Sequence, residues 1–132
     1  MRLDLPYPVS ANRYWRHFRG MTVRSADAMK FIANVKKSAL THGLRPLAGE
    51  VELCVVFHPK LTKKGAEYKR RQDLSNTIKV VEDALIGVAY VDDKQVTSIN
   101  AKLGPAIVGG GLVVSWKLAE LAKENERNRG EQ

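Results

Sequence analysis

The sequence has very little cysteine and histidine. It contains one cysteine, Cys54, and three widely separated histidines, His17, His42 and His58. A single thiol cannot form an internal disulfide or a multi-cysteine zinc site. The histidines show no paired spacing, so we expect no histidine-built metal site. These shortages argue against a disulfide-stapled secreted fold and against the common zinc proteins.

Long apolar runs are also missing. No stretch approaches the roughly 20 apolar residues of a membrane span, and the N-terminus lacks the apolar core of a secretory signal. With 132 residues, 44% hydrophobic and 27% charged, the chain has the composition of one globular domain. We therefore expect a cytoplasmic protein with no membrane partner.

Acidic residues are scarce relative to basic ones. Lys and Arg number 22 against 14 Asp and Glu, a net charge of +8. This excess favours a polyanionic partner, with nucleic acid ahead of a membrane surface. The most basic stretch, 58–72, contains Pro59 and Gly65 and is interpreted as a loop. Such a loop is either solubilising or a phosphate contact, for which the candidates are Lys64, Lys69, Arg70 and Arg71.

Hydrophobic periodicity predicts a single small α+β domain with one mixed sheet packed against helices, in the order β-α-β-α-β-β. The glycines 109–111 are interpreted as part of a hairpin connection between the last two strands. We place the domain at 1–119 and a charged C-terminal tail at 120–132. The predicted segments are strand 2–5, helix 26–42 (N-cap Ser25, stop Gly43), strand 51–57, helix 74–86, strand 96–103 and strand 112–116.

The second helix carries the densest set of candidate functional groups. Helical spacing predicts a core face of Leu74, Ile78, Val81 and Leu85, and an opposite face of Asp73, Asn76, Lys79 and Asp83. An ordinary solvated helix surface with an N-cap is one interpretation. Carboxylates beside a basic loop, however, would repel phosphate unless a divalent cation lies between them. That pattern favours metal-assisted phosphodiester hydrolysis, with the acidic pair Asp92 and Asp93 contributing.

The segment 10–20 mixes aromatic residues with arginines. Arginines next to aromatic rings can clamp phosphates and stack on exposed bases. We expect a DNA role for Arg13, Arg16 and Arg19, and core packing for most of the aromatics, with Tyr14 or Trp15 at least partly buried.

Three spaced motifs together resemble the RusA family of Holliday junction resolvases of bacteria and their prophages. They are P-x-S-A-N-R-Y-W-R-H-x-R-G (8–20), D-x-x-N-x-x-K-x-x-x-D-A-L (73–85) and D-D-x-Q-V (92–96). The resemblance implies a homodimeric endonuclease that uses Mg²⁺, or Mn²⁺ in its place, to nick four-way DNA junctions symmetrically.

The resemblance also implies roles for individual residues. Asp73 and Asp93 match essential aspartates, Asp92 matches a less critical partner, and Lys79 matches the functional lysine. Asp73, Asp92 and Asp93 are thus the implied metal ligands. Apart from the resemblance, the position of Asn76 on the polar helix face suits either orientation of a carboxylate or a water, or an ordinary amide near the helix N-terminus. Ser75 stands where the family has a second aspartate, so the site has one negative charge fewer. Weaker metal binding, compensation by Asp92 or Asp83, and a disabled enzyme all stay open at this point.

Two other functions also stay open. One is a non-catalytic nucleic-acid-binding module, in which the acidic residues are only caps and turns. The other is a Mg²⁺-dependent nuclease for flaps, forks or other branched DNA. A two-fold symmetric dimer would match the two opposed nicks that a four-way junction requires.

Overall fold

The computed structural model confirms the α+β class with a four-stranded mixed sheet and helices packed against one of its faces. It describes residues 1–61 and 71–119, with the backbone alone for 71–73. The predicted tail, 120–132, and most of the basic loop, including Lys64, Lys69 and Arg70, lie outside these residues. The elements are β1 (Arg2–Leu5), α1 (Ala11–Tyr14), β2 (Trp15–Phe18), β3 (Met21–Arg24), α2 (Ala26–Thr41), β4 (Val51–His58), α3 (Arg71–Ala84), β5 (Val96–Leu103) and β6 (Gly111–Leu118).

The sheet has the strand order β1-β6-β4-β5. β4 and β5 are parallel and connected through α3, whereas β6 is antiparallel to both β1 and β4. The inward side chains alternate along the strands, as the period of two requires. On β1, β4 and β6 the buried inward residues are Leu3, Leu5, Val51, Leu53, Val55, Phe57, Leu112, Val114 and Trp116.

The predicted hairpin between the last two strands is wrong. β5 and β6 lie on opposite sides of β4, so the connection 104–110 crosses the end of β4 instead of turning back on β5. The amide of Ile107 donates to the carbonyl of Pro59 at 2.9 Å during this crossing. At Gly110 (φ +66°) a Cβ atom would lie 2.4 Å from the Tyr7 ring, so the crossing needs glycine there.

Helix α2 begins and ends where its sequence signals predict. The Ser25 hydroxyl accepts a hydrogen bond from the Ala28 amide at 3.1 Å, which satisfies one of the first free donors of the helix. At the other end Gly43 adopts φ +67°, and the amide of Leu44 returns to the carbonyl of Ala39 at 2.9 Å. None of the described helices combines the length and the apolar composition of a bilayer span.

The N-terminal segment forms structure that the sequence patterns did not predict. After the single turn of α1, strands β2 and β3 form a separate two-stranded antiparallel hairpin. Its two turn residues, Arg19 (φ +51°) and Gly20 (φ +73°), both lie in the left-handed region, as a type I′ turn requires. As predicted, Tyr14 is buried, and Trp15 is half-buried.

Candidate active site

The core face predicted for the second helix, which is α3, is confirmed in part, because Val81 and Leu85 are buried. The fully buried positions are Thr77, Val80, Val81 and Ala84, whereas Leu74 and Ile78 are only half-buried. Small side chains at 80 and 84 let the helix lie close to the layer beneath it, and the longer chains then pack at its edge. Lys79 lies in the middle of the exposed face, with Asn76 and Asp83 on a first flank and Ser75 and Glu82 on a second.

The first flank carries Asp83, whose carboxylate is fully engaged. Arg24 donates from Nε and Nη2 to its two oxygens, each at 2.7 Å, and the buried Tyr14 hydroxyl donates to Oδ2. Burial alone would raise the pKa of Asp83, but the hydrogen bonds from Arg24 and Tyr14 and the charge of Arg24 hold that pKa below its usual value. Asp83 thus joins α3 to the β2–β3 hairpin.

Asn76 lies on this same flank. It is exposed and contributes to the wall of a small cavity, about 40 Å³, together with Tyr7, Pro8, Ser10, Phe57 and Thr77. That volume is about enough for one or two water molecules.

The second flank carries Ser75 and Glu82. Lys79 lies between the two flanks, within one helical turn of Ser75, Glu82 and Asp83. Ser75 and Lys79 are exposed, and Glu82 is half-buried. Partial burial raises the pKa of Glu82, the charge of Asp93 raises it further, and Lys79 opposes both effects. This pattern brings Lys79, Glu82 and Asp93 into one electrostatic neighbourhood.

The turn with Asp92 and Asp93 is held rigidly from one side. Gln95 accepts hydrogen bonds from the amides of Val91 and Asp92 through Oε1, at 2.9 and 3.0 Å. Its Nε2 donates to the carbonyls of Leu47 and Gly49, at 2.8 and 2.9 Å. Both aspartates are left exposed by these bonds.

Asp92 also caps the turn. Its Oδ1 accepts from the Lys94 amide at 2.9 Å. That bond first, then contributions from Asp93 and from the charge of Lys94, lower the pKa of Asp92. Asp92 is therefore ionised at neutral pH, as a metal ligand must be.

Asp73 and Arg71 lie in the first turn of α3, and the structure describes their backbone only. No group of three or more acidic, histidine or cysteine side chains with metal-binding geometry occurs among the side chains that are described. The donors that the described acidic turn offers are carboxylate oxygens, the ligand type that Mg²⁺ prefers.

Among the predicted DNA-binding arginines, Arg13, Arg16 and Arg19 have described side chains, and these are exposed on α1 and the hairpin. Arg13 forms an ion pair with Asp27 at 3.2 Å. The guanidinium carbons of Arg16 and Arg19 lie 5.5 and 5.2 Å from the centre of the Phe18 ring. The Nζ atom of Lys60, at the start of the basic loop, lies 4.4 Å from the centre of the Tyr7 ring.

Comparison with known proteins then decides the family. The model of the family described as endodeoxyribonuclease RusA matches residues 6–115, which include α1 to α3, the acidic turn and most of the sheet. The chain belongs to the RusA family.

Curated relatives align over nearly the full length. The crossover junction endodeoxyribonucleases RusA of Escherichia coli K12 and of Shigella sonnei are each 33% identical over 127 residues, covering 92% of this chain and 96% of theirs. The protein of the same name from Enterobacteria phage 82 is 34% identical with the same coverage.

Three residues in this RusA-family site were not found from the sequence. Gln95 is the glutamine of the D-D-x-Q-V motif, and this position was the signal that could have pointed to a side chain connecting the acidic turn to residues 47–49. Arg24 and Glu82 carried no such signal, because their partners Asp83 and Asp93 lie 59 and 11 residues away in the chain.

Proposed function

We propose that this chain is a Mg²⁺-dependent endodeoxyribonuclease that resolves four-way DNA junctions by paired symmetric nicks. The observation that carries the proposal is the RusA-family match over residues 6–115, in a chain of net charge +8 that exposes both an acidic turn and Lys79. Carboxylates on a basic protein suit a metal-assisted reaction on a phosphodiester better than they suit simple phosphate binding.

Asp73, Asp92 and Asp93 would hold the cation, with Mn²⁺ able to replace Mg²⁺. The bound cation would polarise the scissile phosphate and lower the pKa of a water molecule. The contribution of the chain would be to hold the turn that carries Asp92 and Asp93 in place through the Gln95 hydrogen bonds.

Lys79 is proposed as a catalytic residue. It projects from the exposed side of α3, and its ammonium group would stabilise the extra negative charge of the transition state. Loss of a single group of this kind lowers the turnover of an enzyme by about 100- to 1000-fold. A phosphate-binding lysine without that role would instead change affinity alone.

The proposal includes a homodimer. Two matched nicks on opposing strands require two active sites related by a two-fold axis, and a symmetric pair of chains of this size supplies them most simply.

The test is a cleavage assay with an end-labelled four-way junction and the matching linear duplex, each in Mg²⁺ and in EDTA. Symmetric nicks are expected in the junction only, and only with Mg²⁺. Asp93→Asn and Lys79→Ala are expected to lower cleavage by at least about 100-fold while junction binding changes little. Lys37→Ala, which removes an exposed lysine of α2, is the matched control and should cleave normally.

A second function is favoured by Ser75 specifically. A serine hydroxyl is neutral, so a site that needs an aspartate there would be disabled, and the chain would bind branched DNA without cutting it. Tight junction binding with no cleavage in Mg²⁺ or Mn²⁺ would contradict the nuclease proposal. Cleavage gained by Ser75→Asp would then identify a disabled nuclease, and continued inactivity would identify a binding module.

A different cleavage pattern would revise the substrate. Equal or faster cutting of flaps or forks than of four-way junctions would assign the chain to general branched-DNA cleavage. Light scattering of the purified protein, free and with the junction, tests the dimer in the same preparation.

A further inference from the structure

The tip of the β2–β3 hairpin exposes two large apolar side chains. Phe18 and Met21 are directly opposed across the antiparallel pair, so their side chains lie on the same face. Phe18 is 50% exposed and Met21 is 64% exposed. Single apolar residues on a surface are ordinary. Here two of them meet at the end of a protruding two-stranded ribbon.

Positive charge surrounds this apolar tip. Arg16 and Arg19 lie against the Phe18 ring at 5.5 and 5.2 Å, and the segment 10–25 contains no acidic residue. Neither arginine forms an ion pair with a carboxylate in the described part of the chain. Both guanidinium groups are therefore available to an external anion beside the ring.

The base of the hairpin is attached to the helix of the candidate active site. Arg24, the last residue of β3, and Tyr14, which directly precedes β2, both bond to Asp83 of α3. Asp83 lies one helical turn after Lys79. A contact made by the tip is therefore made at a fixed displacement from Lys79 and from the acidic turn.

We propose that the tip formed by Phe18 and Met21 inserts against an accessible base at the branch point of a DNA junction, while Arg16 and Arg19 bind the adjoining phosphates. A branch point offers ends of base stacks that a continuous duplex lacks, and apolar wedges flanked by arginines are a known way to open base steps. The tip would thereby distinguish branched from linear DNA. This inference rests on the proposed function, because it takes branched DNA as the substrate.

The test uses the full chain in EDTA, so that no cleavage occurs, and a four-way junction with 2-aminopurine at the branch point. A second junction carries 2-aminopurine within an arm. The wild type should raise fluorescence at the branch point only, which reports unstacking. Phe18→Ala should abolish that rise and weaken junction binding about tenfold, leaving duplex binding unchanged.

Two variants serve as controls. Phe18→Trp keeps an aromatic ring and should preserve the fluorescence rise. Met29→Ala removes another exposed apolar side chain, 53% exposed on α2, and should behave as the wild type. Circular dichroism of Phe18→Ala should be unchanged, because the ring is half exposed and lies outside the buried core.

An unchanged fluorescence rise and junction affinity in Phe18→Ala would overturn the inference. A change of oligomeric state in Phe18→Ala would also overturn it, by assigning the tip to contact with a second copy. These results are separate from the cleavage assay. A wild type that unstacks the branch point but never cuts in Mg²⁺ contradicts the nuclease proposal alone, whereas normal cutting with an unaffected Phe18→Ala contradicts the tip alone.

Discussion

At the scale of single residues, Asp83 has the most complete set of partners among the acidic side chains discussed above. Its carboxylate receives three hydrogen bonds from Arg24 and Tyr14, the two residues at the base of the β2–β3 hairpin. Removing one partner from such a group leaves the others without a counterpart, which is more destabilising than removing an exposed pair.

Asp83→Asn is therefore expected to lower the free energy of unfolding by about 1–3 kcal/mol at pH 7. Since folding lowers the pKa of Asp83, its contribution is complete above its ordinary value, near 3.8, and is lost as the pH falls through the lower folded-state pKa. The difference between wild type and variant should thus be constant from pH 7 to about 5 and shrink only in strong acid.

Urea unfolding across this pH range measures the effect. Asp4→Asn is the matched control, because the Arg2–Asp4 pair is exposed, with 66% and 70% of its side chains accessible. Its loss should be under about 1 kcal/mol. Equal destabilisation by the two variants would contradict a special role for Asp83.

Glu82 provides a second test at this scale. Burial and Asp93 raise its pKa and Lys79 lowers it, so Asp93→Asn should lower the pKa of Glu82 and Lys79→Ala should raise it. Carboxyl-carbon NMR titration without divalent cations measures both shifts. Absence of both would mean that Asp93 and Lys79 do not share a surface with Glu82.

At the scale of elements, the acidic turn depends on one amide side chain. Gln95 makes four hydrogen bonds that connect the turn to residues 47–49. Because all four partners are backbone groups, we class Gln95 as a positioning residue for the acidic turn.

Gln95→Leu keeps the approximate volume but removes every one of these bonds. We expect the maximal cleavage rate to fall about 10- to 100-fold, since small displacements of a catalytic group are that costly. The KM for the junction should be nearly unchanged. Lys94→Gln, on the same turn, should instead raise the KM and leave the maximal rate unchanged. A Gln95→Leu variant that raised the KM and kept the maximal rate would contradict the positioning role.

Elements with strong local signals were predictable from the sequence, and those set by distant contacts were not. The cap at Ser25, the stop at Gly43 and the alternation in β4 are local, so α2 and β4 agree with prediction within one residue. The order of β5 and β6 around β4 depends on pairing across the whole chain, so the glycines at 109–111 suggested a hairpin that does not form. On the helix face, Val81 and Leu85 were predicted correctly, whereas Val80 and Ala84 were missed because a pattern weighted by large side chains overlooks small ones.

The same division holds for the candidate site. Asp92, Asp93 and Lys79 were identified in advance through the motif spacing, and their assigned roles stay predictions. The bonding of Asp83 to the hairpin depends on Arg24, which no local pattern connects to α3.

At the scale of the whole molecule, the net charge of +8 predicts binding that weakens steeply with salt. Each phosphate neutralised on duplex DNA contributes about 0.9 to the slope of log K against log salt. Arg16 is exposed and without a described carboxylate partner, whereas Arg13 already pairs with Asp27. Arg16→Gln should therefore reduce the slope by about 1, and Arg13→Gln by clearly less. Fluorescence anisotropy with one duplex over a salt series measures both slopes. A larger reduction of the slope by Arg13→Gln would mean that DNA displaces Asp27 from Arg13. The basic surface would then be centred on α1 instead of on the hairpin.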